Sequence, residues 1–153
     1  MATSVRGQAA LLWLHVRQEI MKRIQVSKVA VLEDGCLGIF PAASSSMYQY
    51  VYREAAGVSW NSVLCCFQST VPREWDYKKW YGQIVSVVLS SFDTRLSLSP
   101  KTVFVPDDPT FITDMRGADA ETQNWIDVER PKIMQGEQQR GELQSERRGR
   151  LPL

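Results

Sequence analysis

The sequence predicts an α+β domain: an antiparallel sheet of about four or five strands packed against one long helix over about residues 73–92, with a disordered C-terminal tail. Three observations carry this. Asp34-Gly35 lies between two stretches of β-formers, which marks a tight hairpin. Tyr77, Tyr81, Ile84, Val88 and Phe92 recur at spacings of three and four, the period of a helix with one buried stripe. Past Arg116 the chain turns to Gln, Glu, Arg and Gly, with little to bury.

In chain order, residues 8–23 have helix-forming composition but no single apolar stripe. Met21-Lys22-Arg23-Ile24 reads as the start of a small domain, so residues 1–20 are expected to be an upstream extension. Residues 26–40 form the first hairpin, and Pro41 ends its second strand because it cannot donate to a ladder. Tyr48, Tyr50 and Tyr52 alternate with Gln49, Val51 and Arg53, predicting an extended start followed by a short helical turn that Gly57 ends. Residues 58–69 make a second hairpin around Asn61-Ser62. Thr70 can cap the main helix, Pro72 suits its first turn, and Glu74 and Asp76 complement its dipole. The alternation of Arg95, Leu96, Ser97, Leu98 and Ser99 marks a strand that Pro100 breaks, after which Thr102-Val103-Phe104-Val105 either continues the sheet or flanks it. Asp107-Asp108-Pro109 starts a short helix over residues 110–115. The domain thus spans residues 21–116, and residues 117–153 form the polar, largely disordered tail.

Composition narrows the function. A chain of 153 residues holds one domain with a real core and is short for two. Formal net charge is +1, with ten basic and nine acidic residues over 21–116, so no basic face is on offer and nucleic acid is disfavoured as a partner. Cys36, Cys65 and Cys66 match neither a disulfide framework nor a zinc motif, and they read as thiols in a reducing cytoplasm. The apolar run at residues 9–16 is far too short to span a membrane, and no cleavage site follows it.

Two stretches, Tyr50-Val51-Tyr52-Arg53-Glu54-Ala55-Ala56-Gly57-Val58-Ser59-Trp60 and Val71-Pro72-Arg73-Glu74-Trp75, resemble small proteins carried as bacterial integron gene cassettes. The resemblance covers roughly residues 21–115. It implies a compact α+β fold, a mobile-element origin and a tendency to self-associate, and it supplies no catalytic residue.

The chemistry-bearing residues point the same way. The single histidine, His15, lies outside the expected domain, so histidine-based triads and metal sites are disfavoured; no catalytic residue, metal ligand or cofactor motif is assigned. Ten of the fifteen aromatic residues fall between Phe40 and Tyr81. A sheet and one helix cannot enclose so many rings, so part of the block should line a cleft or an interface. With Tyr77 and Tyr81 assigned to the helix core, the candidate surface is Tyr48, Tyr50, Tyr52, Arg53, Trp60, Arg73, Trp75 and Trp80. The reading is a non-enzymatic binding or interaction protein, a homodimer through aromatic surface or a small-molecule binder with Arg53 or Arg73 anchoring an anionic group. One alternative is a small enzyme using Glu54 or Glu74; another is a nucleic-acid accessory protein using Lys78, Lys79 and nearby rings.

Overall fold

Asp34 and Gly35 do turn the chain, though only Gly35 takes the left-handed region (φ 85°). The Asp34 carboxylate instead accepts from the Cys36 N–H at 3.1 Å, and Gly35 donates to the Leu32 carbonyl at 2.9 Å. The computed structural model describes residues 21–54 and 56–133; the expected extension over residues 1–20 lies outside them. The turn joins β1 (Lys22–Val31) to β2 (Leu37–Pro41), which pair antiparallel. The hairpin that follows, β3 (Ser59–Asn61) and β4 (Cys66–Gln68), closes over four residues rather than the two expected. There the Asn61 side chain accepts from the Val63 and Leu64 N–H groups, and Cys65 sits at φ 60°.

Between the hairpins the tyrosine run is a 3-10 helix, Ser46–Glu54, and not the extended start its alternation suggests. Ser45 Oγ accepts from the Met47 N–H at 3.3 Å and opens the turn. The period of three then buries Tyr48 and Val51 together and leaves Tyr52 and Arg53 exposed.

The main helix, α1 (Tyr77–Phe92), begins four residues later than expected, capped by Asp76, whose carboxylate accepts from the Lys79 N–H at 2.9 Å. Thr70 cannot start it. Ser69 continues the β4 ladder, exchanging its N–H with the Leu37 carbonyl and its Oγ with the Leu37 N–H, so residues 69–70 stay extended. Pro72 also biases Val71 away from helical angles. Asp93 (φ 49°) ends α1, donating its N–H to the Leu89 carbonyl.

The last strand, β5 (Thr94–Val105), runs parallel to β1, so the sheet is mixed and not antiparallel, in the order β3-β4-β2-β1-β5. The reason is topological: α1 carries the chain back along the sheet, and the next strand restarts beside the beginning of β1, where Lys22 donates to the Asp93 carbonyl. Pro100 does not break the strand. Residues 99–102 bulge out of register, and the buried Thr102 hydroxyl fills the gap by donating to the Val26 carbonyl at 2.7 Å and accepting from the Ser99 N–H at 2.9 Å.

A second helix, α2 (Pro109–Asn124), matches α1 in length, which corrects the expectation of one long helix. Its start is where Asp107-Asp108-Pro109 predicts it, with Asp108 accepting from the Phe111 N–H. It runs through Arg116 because Phe111, Met115 and Ala118 keep burying one face while Ala120, Glu121 and Gln123 favour helix. The disordered tail expected from residue 117 is therefore helical to residue 133; residues 134–153 lie outside the described residues. Residues 120–133 group as a compact unit of their own, with a π-turn at Trp125–Glu129.

One row of side chains crosses all five strands in register: Phe104, Val29, Ile39, Phe67 and Trp60. On this face lies α1, whose Ile84, Val85, Val88 and Leu89 are wholly buried. Each such side chain contributes about 1.5–3 kcal/mol. The neighbouring row, Val105, Ala30, Gly38, Gln68 and Ser59, points to the other face, where Val103 and Val105 stay exposed.

Candidate functional site

Holding residues 69–70 to the sheet while delaying α1 to Tyr77 leaves residues 71–76 as an irregular segment draped in front of the helix. That segment and the first turn of α1 enclose a cleft of about 540 Å³, lined by Thr70, Val71, Arg73, Glu74, Trp75 and Trp80. The two indoles form its apolar wall, their centroids 4.9 Å apart and their planes inclined by 56°. Trp80 is nine-tenths buried and fixed from behind by Gly57, while Trp75 is 37% exposed.

The polar side of the cleft is equally plain. Arg73 and Glu74 are both exposed, and among the described residues neither has an ion-pair partner. The Trp80 indole N–H is buried and has no acceptor among the described residues. Such a donor costs about 1–3 kcal/mol when left unmade.

Of the eight residues singled out from the sequence, Arg73, Trp75 and Trp80 come together here. The others do not join them in this lining. Tyr48 is buried in an aromatic cluster with Trp60, Phe67 and Phe92, at centroid distances of 5.2, 4.9 and 5.3 Å, so Tyr48 belongs to the core. Trp60 is half-buried at its edge, 4.8 Å from Phe67. Arg53 stacks on its own neighbour Tyr50 at 4.4 Å and is not paired with a carboxylate among the described residues; Tyr52 is exposed on the same 3-10 helix. Glu54 is exposed there too, whereas Glu74, the other carboxylate considered, lines the cleft. Lys78 and Lys79 are exposed at the start of α1. Val71 and Gly57 were invisible as site residues in the sequence, because an isolated valine and a helix-ending glycine carry no chemical signal.

A second concavity, about 690 Å³, lies on the open face of the sheet between Lys28, Asp34, Phe40, Leu64, Gln68 and Val105, with the Lys28 ammonium 4.3 Å from the Phe40 ring centre. Among the described residues no group of His, Cys, Asp and Glu side chains is placed to hold a metal ion, and no helix is long and apolar enough to cross a membrane. All three cysteines are free thiols. Cys65 is exposed in the β3–β4 loop; Cys66 is buried, and desolvation pushes its thiol up to about 11. Burial likewise raises Cys36, helped by the Asp34 carboxylate.

Comparison with known proteins places these features in context. The family model for the integron cassette protein Hfx_Cass5 matches residues 28–102, a span from within β1 to within β5 that includes the lining residues of the cleft among the described residues. A solved structure from the mobile metagenome of the North West Arm Sewage Outfall, also the integron cassette protein Hfx_Cass5, is 32% identical over 65% of this chain and 98% of that chain, with a TM-score of 0.33. A search of curated proteins gave no match.

Proposed function

We propose that this chain, which belongs to the integron cassette protein Hfx_Cass5 family, is a non-enzymatic binding protein whose ligand site is the cleft walled by Trp75 and Trp80. One observation carries the reading: two indoles and two charges of opposite sign, unpaired among the described residues, face one cleft of about 540 Å³. Concave sites with apolar walls and a few convergent polar groups are where small molecules bind, and this volume suits one. Catalysis has less to work with. The lining holds a single carboxylate among the described residues, where acid–base work without histidine uses a pair, and two of the three thiols are buried in their neutral form.

The test is a panel of small aromatic compounds, charged and neutral, titrated into the full chain and followed by calorimetry and thermal shift. Saturable binding that Trp75→Ala abolishes while leaving the far-ultraviolet spectrum intact is the expected result. Absence of binding across the panel overturns the assignment.

A second reading, self-association, is favoured by the open sheet face. Phe40, Leu64, Val103 and Val105 leave apolar surface there, and a sheet with helices on one side gains by covering the other. Sedimentation should then show twice the 17.4 kDa chain mass, with Val103→Lys returning it to one; a single 17.4 kDa species in the wild type sinks this reading.

A further inference from the structure

We infer that the cleft selects a zwitterion: a planar apolar body that carries an ammonium and a carboxylate a few bonds apart. This rests on the binding reading above and adds the ligand's chemical class. The lining offers one cation and one anion from consecutive residues, Arg73 and Glu74, held in a bend outside any helix or strand. Both are exposed, and neither is used internally among the described residues. A guanidinium presents a planar fork that matches a carboxylate, and a carboxylate such as Glu74 accepts from an ammonium.

Each single-charge class meets a repulsion in this cleft. An anionic ligand satisfies Arg73 but faces the Glu74 carboxylate. A cationic ligand gains Glu74 and the indole faces, which attract ammonium groups, but faces Arg73. A ligand with both charges makes both pairs and avoids both repulsions. The apolar body then lies against the wall that Trp75 and Trp80 form.

The test uses three probes that share a phenyl ring: phenylalanine, phenethylamine and 3-phenylpropionate, measured against the full chain by calorimetry. Phenylalanine should bind about fivefold more tightly than either single-charge probe, the order of one partly screened charge pair. Glu74→Gln should bring phenylalanine down to the level of 3-phenylpropionate, and Arg73→Gln should bring it down to that of phenethylamine. Both residues are exposed, so the variants should keep the wild-type fold, which circular dichroism checks. Equal or tighter binding of either single-charge probe overturns the zwitterion class. So does binding of a neutral aromatic compound that Trp75→Ala abolishes, when phenylalanine itself does not bind; in both cases the binding site stands. Absence of binding by every probe, charged or neutral, removes the site together with the class.

Discussion

Gly57 lies so close to the Trp80 indole that a methyl group on its α-carbon would stand 2.9 Å from Cη2. The glycine also holds φ at 75°, a region that disfavours other residues. Gly57 is thus what lets the inner wall of the cleft sit flush against the chain behind it. Gly57→Ala should cost about 2 kcal/mol or more, adding left-handed strain to overpacking against a rigid buried ring. Chemical denaturation checks the loss. The Trp80 emission should change with it, since the indole has no other way to yield.

The Tyr81 hydroxyl donates to Asp119 Oδ1 at 2.6 Å, joining α1 to α2 inside the core. Burial, and then the Asp119 charge, raise the Tyr81 hydroxyl well above its ordinary 10.0. Above pH 10 the unfolded chain gives up this proton while the folded chain keeps it. The bond's contribution is therefore fully present below pH 10 and is lost progressively as pH rises beyond it. Tyr81→Phe should lower stability at neutral pH by about 1.5–3 kcal/mol, the range for a hydrogen bond to a charged group. It should also flatten the alkaline decline seen in urea unfolding. Some decline should remain, because burial raises Tyr48 in the same direction.

The cysteines should separate by exposure. Cys65 is open to solvent, whereas Cys36 and Cys66 are buried with raised pKa values. In native protein at neutral pH, iodoacetamide should modify one thiol quickly and two only on unfolding. Mass spectrometry of the peptides would show Cys65 as the fast site. Rapid modification of Cys66 would contradict its burial and reopen a nucleophilic role for it.

Local signals were the legible part of the chain. The Asp34-Gly35 turn, the end of α1 at Phe92 and the start of α2 at Pro109, just after Asp108, each depend on residues within three or four positions. What the sequence concealed depends on distant partners. The direction of β5 follows from where α1 returns the chain, and no local pattern distinguishes a strand that will pair parallel. Tyr48, Tyr50 and Tyr52 fit alternation as well as they fit a 3-10 turn, and only the ring cluster of Trp60, Phe67 and Phe92 decides between them. The same cluster removes Tyr48 from the candidate surface. Arg73, Trp75 and Trp80 were legible as a group because aromatic and charged residues are interleaved there. Their cleft was not, since it exists only because α1 starts late.

Thr102 repairs the bulge that Pro100 forces into β5, bonding both the Val26 carbonyl and the Ser99 N–H from a buried position. Thr102→Val keeps the shape and removes the hydroxyl, leaving both backbone groups without it. A loss of about 1–3 kcal/mol is expected. Hydrogen exchange should localise the damage, with the Ser99 amide protected in the wild type and fast in the variant.

The late start of α1 can be tested against the earlier start that the sequence suggests. If Asp76 is the cap, Asp76→Ala frees the Lys79 N–H and should cost about 1 kcal/mol. Thr70→Ala should cost under about 0.5 kcal/mol, because its side chain caps nothing among the described residues and the strand is held by the bonds between Ser69 and Leu37. The reverse ranking in thermal unfolding would put the helix start at Thr70. It would also place residues 73–75 inside the helix and abolish the irregular segment that forms the cleft. The same pair of variants therefore bears on the site: a cleft built by a late helix start requires that Asp76, and not Thr70, governs the stability of α1.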